Sequence, residues 1–130
     1  MIYLDSSALV KLVLAEPETA ALVRWLADSP SPAQVSSSII RVEVPRAVWR
    51  AEPELLPHGY AVIQRVREVL ITDAVLRVAA SARPPTLRSM DAIHLASALV
   101  IRRDLAAFVS YDKRLLVAAK EAGLSTASPV

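Results

Sequence analysis

The sequence predicts an α/β domain, a central parallel sheet with helices on both faces, and three observations carry that expectation. Short apolar runs of β type alternate with amphipathic stretches of helical period along the whole chain. Acidic residues stand just after these runs or early in the helices that follow. The 130 residues suit one domain, and 54% of them are hydrophobic, enough to fill its core. Residues 1–130 are therefore read as a single domain.

The elements follow in order. Ile2-Tyr3-Leu4 is the first apolar run and Asp5 closes it. Ser6 or Ser7 can cap a helix over residues 8–14. Pro17 suits a first helical position, and Ala20, Leu22, Val23 and Leu26 form the stripe of a second helix. The segment from Ser29 to Pro32 is a loop, Gln34-Val35-Ser36-Ser37 a short strand, and residues 39–50 a helix bearing Glu43. Pro45 interrupts that helix. A start near Glu43 would put the proline in the first turn, where N–H groups lack partners anyway. A further helix spans 54–68, a strand 69–72, and Asp73 can cap a helix over 74–83. Pro84-Pro85 forces extended chain. From about Asp91 a helix is strongly periodic, with Ala92, Leu95, Ala96, Leu99 and Val100 on one face. Residues 107–110 form a strand and 113–122 a helix that Gly123 can end.

Composition removes several classes of function. The best uncharged apolar stretch, 92–101, is about half the roughly 20 residues a membrane span needs. The first residues meet an acid at once and have no basic start, unlike a signal peptide. There are no cysteines, which excludes disulfides and thiolate-bound zinc and fits a cytoplasmic protein. The only glycines are Gly59 and Gly123, so a glycine-rich phosphate loop is excluded. No nucleophile elbow for serine hydrolysis is present. The first run ends on one aspartate followed by serine, without the second aspartate of a phosphoaspartate phosphatase. Net charge is +2, but residues 1–60 carry −2 and residues 61–130 carry +4. Twelve of the fifteen basic residues are arginine, whose rigid fork suits phosphate. The surplus of apolar residues hints at a protein partner.

In a parallel sheet, ligands bind at the carboxyl ends of the strands. Asp5 ends the first strand, Asp112 follows the strand at 107–110, Asp91 opens a helix, and Glu43 lies one turn into its helix. Carboxylates gathered at one edge raise each other's pKa unless a cation neutralises them. Hard oxygen donors select Mg²⁺ or Mn²⁺, and such ions can activate water against a phosphodiester. Taken singly, each aspartate is as readily a helix cap, and Glu43 a solvated side chain; the reading rests on the four together. Ser6 can hold a water or phosphate near the metal, or simply cap. Arg88, Lys113 and Arg114 flank the acids and can grip RNA backbone, or remain plain surface charges. His94, three residues after Asp91, suits a buried hydrogen-bonded residue better than a catalytic base. Trp25 and Trp49 suit core or interface better than base stacking.

Four segments in order resemble the PIN-domain nucleases, in particular the VapC-type toxins of toxin–antitoxin pairs. Ile2-Tyr3-Leu4-Asp5-Ser6-Ser7-Ala8-Leu9-Val10-Lys11 is similar to the family's first strand and first metal acid. Ser36-Ser37-Ser38-Ile39-Ile40-Arg41-Val42-Glu43 is similar to the segment of the second acid. Leu87-Arg88-Ser89-Met90-Asp91-Ala92-Ile93-His94-Leu95-Ala96 resembles the third, and Phe108-Val109-Ser110-Tyr111-Asp112-Lys113-Arg114-Leu115 the last. Ser110 stands where the family usually has threonine, and the hydroxyl is kept. The resemblance covers essentially the whole chain. It implies Asp5, Glu43, Asp91 and Asp112 as metal-binding catalytic residues, with Mg²⁺ or Mn²⁺ as cofactor and RNA as substrate. It also implies a VapB-type antitoxin partner and a homodimer. The alternative from another class is a non-catalytic metal-binding or receiver-like regulatory module. A receiver would carry a lysine near its last strands, whereas Lys113 begins a helix after an acid.

Overall fold

Along the first strand, Ile2 and Leu4 face one way and Tyr3 the other, and this alternation divides the interior into two cores. The computed structural model describes residues 1–31 and 33–130. Five strands, β1 (Ile2–Leu4), β2 (Gln34–Ser37), β3 (Arg67–Val69), β4 (Ala107–Val109) and β5 (Thr126–Ala127), form one sheet. The order is β3-β2-β1-β4-β5 and every pairing is parallel. Tyr3 lies opposite Val35 on one side and Phe108 on the other. A slip of one residue would send each of these to the wrong core, so the apolar pattern fixes the register.

Seven helices cover the sheet: α1 (Ser6–Lys11), α2 (Thr19–Ala27), α3 (Ile40–Ala51), α4 (Leu56–Gln64), α5 (Asp73–Ala80), α6 (Ser89–Val100) and α7 (Lys113–Glu121). Under one face, Ile2, Leu4 and Val109 pack with Ala8 and Leu9 of α1, Leu22 of α2, Ile40, Val44 and Val48 of α3, and Ile63 of α4. Under the other, Tyr3, Val35 and Phe108 pack with Leu95 and Ala98 of α6 and Leu115, Ala118 and Ala119 of α7. Each large aliphatic side chain so buried contributes about 1.5–3 kcal/mol. α5 lies against α6. From β1 the chain winds outward through β2 and β3, then returns to β4 on β1's other side. The reversal between β1 and β4 opens a crevice at their carboxyl ends, which is where the acids stand.

Several elements begin or end away from the positions expected of the sequence. The cap of α1 is Asp5, not Ser6 or Ser7, and α1 stops at Lys11 rather than residue 14. α2 starts at Thr19, so Pro17 lies in the preceding turn; Thr19 Oγ1 donates to the Lys11 carbonyl at 2.8 Å and holds that turn. α3 starts at Ile40, well before Glu43, so Pro45 sits inside the helix after all. The proline deprives the Arg41 carbonyl of its helical donor. The helix expected over 54–68 is a 3-10 turn at Pro53–Leu55 followed by α4. β3 lies at Arg67–Val69 rather than 69–72 because an edge strand tolerates charged residues that hide its pattern. Thr72, not Asp73, caps α5, through Val75 N–H at 3.3 Å. Pro84-Pro85 does not run extended: the Arg83–Pro84 peptide is cis and Leu87 N–H closes onto the Pro84 carbonyl at 2.9 Å. α6 starts at Ser89, placing Asp91 in its first turn. Val100, expected on the buried face of α6, is 42% exposed. Gly123 ends α7 with φ of 93°, as its lack of Cβ permits. β5 was not expected. Pro32, part of the expected loop, lies outside the described residues. No helix among them is long and apolar enough to cross a membrane.

Candidate active site

Asp5 sits at the exit of β1, where its N–H donates to the Val109 carbonyl of β4 at 3.1 Å. Its extended backbone turns the carboxylate back over α1. Oδ1 accepts from Ala8 N–H at 3.0 Å and from the Ser7 hydroxyl at 2.6 Å. Oδ2 accepts from the Ser110 hydroxyl at 2.5 Å. Ser110 Oγ accepts in turn from Asp112 N–H at 3.0 Å, and Ser7 Oγ from Tyr111 N–H at 2.9 Å. The two hydroxyls thus lace the ends of β1 and β4 together around Asp5. Asp5 is 3% exposed. Burial pushes its carboxyl above the usual range, although nearby His94 and the bonds from Ser110, Ser7 and Ala8 pull the other way.

Asp91 stands in the first turn of α6, half-buried. Its carboxyl is also pushed up, by burial first and then by the charges of Asp112 and, more weakly, Asp5, with His94 and Arg88 opposing. Three aspartates from three elements therefore share one field. Asp112 caps α7, its Oδ1 accepting from Arg114 N–H at 2.9 Å and Leu115 N–H at 3.0 Å. Glu43 arrives from α3, in the opposite helical layer from α6. Its Oε1 meets His94 Nε2 at 2.6 Å, and His94 Nδ1 meets Tyr3 Oη at 2.8 Å.

Among the described residues, no three of these side chains converge tightly enough to hold a bare ion. The donor chemistry nevertheless suits a hydrated one. Mg²⁺ keeps several waters and takes only one or two carboxylates directly. All the donors are hard oxygens, and the upward push on Asp91 from neighbouring negative charge is what a bound cation would relieve.

Two clefts open on either side of the acids. One, of about 700 Å³, is lined by Arg88, Asp91, Asp112, Lys113 and Arg114. The other, of about 520 Å³, is lined by Ser6, Ser7, Glu43, Arg46, Arg50 and Tyr111. Ser6 thus sits on a cleft wall, while Ser7, next to it in sequence, supplies the hydroxyl that holds Asp5. Arg46 and Arg50 escaped the sequence reading, yet their spacing of three and seven from Glu43 puts them on its helical face. Tyr3 and Ser7 also escaped. Trp25 packs on the core of the α1–α4 side, and Trp49 is 62% exposed.

The fold and its acidic crevice define a nuclease-like domain, and comparison with known proteins gives the family. The PIN domain model matches residues 2–121, and the chain belongs to that family. It is 42% identical over 132 residues to Ribonuclease VapC47 of Mycobacterium tuberculosis, covering 99% of this chain and 97% of that one. The crystal structure of Mycobacterium tuberculosis VapC20, a Sarcin-Ricin loop cleaving toxin, superposes with TM-score 0.76 at 17% identity, covering 99% of this chain and all of the other. A toxin-antitoxin complex from Klebsiella pneumoniae gives 0.74 at 20% identity, covering 100% of this chain and 98% of that one. These two structures share its fold.

Proposed function

We propose that the chain is a divalent-metal-dependent endoribonuclease, the toxin of a VapBC-like pair. The observation that carries this is the shared field of Asp5, Asp91 and Asp112 at the β1–β4 switch, with Glu43 of α3 bonded to His94, one turn along α6 from Asp91. Full-length kinship with a VapC ribonuclease supports RNA as the substrate. Asp5, Glu43, Asp91 and Asp112 would hold Mg²⁺ or Mn²⁺, which when bound supplies an activated water and shields charge developing on the phosphoryl group. Ser110 and Ser7 fix the direction of the Asp5 carboxylate, so it would meet a cation with little reorganisation. Arg88, Lys113 and Arg114 in one cleft, and Arg46 and Arg50 in the other, flank the acids with positive charge. An RNA strand lying from cleft to cleft would pass its phosphates over the carboxylates.

A third groove, of about 680 Å³, is lined by Leu12, Val23, Leu26, Val62 and Arg65. It joins the outer faces of α2 and α4 and suits an apolar segment of a VapB-type antitoxin; a solved relative of this fold is a toxin-antitoxin complex. Exposed apolar residues elsewhere suit a homodimer. The test of the central reading is cleavage of cellular RNA by the purified chain with Mg²⁺, with Mn²⁺ and with chelator. Cleavage that needs metal and disappears in Asp91→Asn, with circular dichroism unchanged, is expected. Metal-independent cleavage, or a fully active Asp91→Asn, would refute it.

A further inference from the structure

We propose that His94 is a positioning residue for Glu43, aimed by the hydroxyl of Tyr3 in the central strand. The inference rests on the metal-dependent reading above. His94 is 1% exposed, and both its ring nitrogens are engaged: Nδ1 with Tyr3 Oη at 2.8 Å and Nε2 with Glu43 Oε1 at 2.6 Å. Tyr3 Oη also accepts from the Ser37 N–H at 3.1 Å.

The direction of this chain follows from its donors. The Ser37 N–H can only donate, so it uses a lone pair of Tyr3 Oη. A neutral phenol has one proton to give, and the Nδ1 lone pair lies within reach of it. With Nδ1 accepting, the ring proton belongs on Nε2, from which it donates to Glu43 Oε1. A backbone N–H of β2 is thereby linked through two side chains to one oxygen of a carboxylate on α3. The other Glu43 oxygen is left for a cation. Imidazoles and carboxylates around metal sites are oriented by such outer partners, whose loss weakens metal binding without touching a ligand.

Packing keeps the relay rigid. The Tyr3 ring is stacked on Phe108 with centroids 5.0 Å apart and planes 8° from parallel. His94 stands edge-on to it at 84° and 5.9 Å. Glu43 has a side chain 24% exposed and several rotatable bonds, so its aim depends on the bond from His94. Asp5 is held differently, by hydroxyls and a backbone N–H. The two acids thus have separate hydrogen-bonded supports.

A buried histidine satisfied by two partners could equally be a piece of core, and a coupling experiment separates the two. Mn²⁺ binding to the full chain is measured by calorimetry and by the loss of the free-ion electron paramagnetic resonance signal. His94→Ala is expected to weaken Mn²⁺ binding by about 10- to 100-fold. His94→Gln, whose amide can donate from near the Nε2 position, should restore binding to within about threefold of the native chain. In a Glu43→Gln background, His94→Ala should change binding by less than about twofold, since the group it aims is already lost. Tyr3→Phe keeps the ring stack and removes only the hydroxyl. It should weaken binding in the native chain and not in Glu43→Gln, and it serves if His94→Ala fails to fold. Equal losses with and without Glu43, or native affinity in His94→Ala and Tyr3→Phe while Glu43→Gln is impaired, would overturn the positioning role alone. Failure of the native chain to bind Mn²⁺, or an unimpaired Glu43→Gln, would overturn the metal reading and this inference with it.

Discussion

Replacing Asp5 with asparagine removes a buried charge and preserves its shape, so it separates the electrostatics of the site from its architecture. The carboxylate is 3% exposed, and burial raises its folded pKa. A raised folded pKa means that the native state binds more protons than the unfolded chain, starting from the unfolded value near 4. Stability from this group is therefore lost as pH climbs from there through the folded pKa, and Asp91 acts in the same direction. Asparagine does not titrate. Relative to the native chain, metal-free Asp5→Asn should be more stable at neutral pH than it is at about pH 4, where the unfolded carboxyl begins to titrate. The cap survives, because asparagine caps as well as aspartate, whereas Asp5→Ala loses about 1 kcal/mol from Ala8 N–H alone. Under the proposed function, bound metal should reverse the ranking. At one hundred times its dissociation constant, an ion bound only by the native state adds about 2.7 kcal/mol. For a domain of this size that is roughly 8–12 °C in Tm. Differential scanning fluorimetry at both pH values, with and without Mn²⁺, reads all these quantities. An Asp5→Asn protein that melts well below the native chain without metal at neutral pH, or that keeps the full Mn²⁺ shift, would refute the reasoning.

Two further outcomes follow from the clefts and the groove. Arg88→Ala and Arg114→Ala should each raise KM for RNA more than they lower kcat, and each should reduce the slope of log affinity against log salt by about 0.7; an unchanged slope would remove that residue from the RNA path. Purified cognate antitoxin titrated into the enzyme should inhibit cleavage, and Leu26→Glu in the groove should weaken that inhibition while leaving cleavage intact. Undiminished inhibition of Leu26→Glu would place the antitoxin elsewhere.

The central strands were readable because Ile2-Tyr3-Leu4 and Phe108-Val109 are short, wholly apolar runs buried on both faces. β3 and β5 were not. Arg67 and Glu68 occupy an edge where water satisfies one side, and Thr126–Ala127 is too short to show a period. Asp5 and Asp112 were legible as acids at strand exits. Which serine serves Asp5 was not, because the choice between Ser6 and Ser7 depends on the phase with which α1 leaves β1. The relay was hidden for a different reason. A tyrosine in a core strand announces that its hydroxyl needs a partner, but the partner lies 91 residues away. Pro45 shows the limit of local rules, since it stands buried inside α3 where propensity alone would move it to the helix start.

Asp5 and Asp112 each cap the helix that follows them while standing in the acidic crevice. A lineage under pressure to silence this protein cannot discard either acid freely. Most replacements would also fray α1 or α7, and a loss of 1–2 kcal/mol is enough to change cellular abundance several-fold through turnover. Asparagine is the exception, sparing the helix while removing a negative charge from the crevice. Silent descendants that persist as folded proteins, still able to occupy a binding partner, should therefore carry amides at positions 5 and 112, whereas those with alanine there should fade from the cell along with their activity.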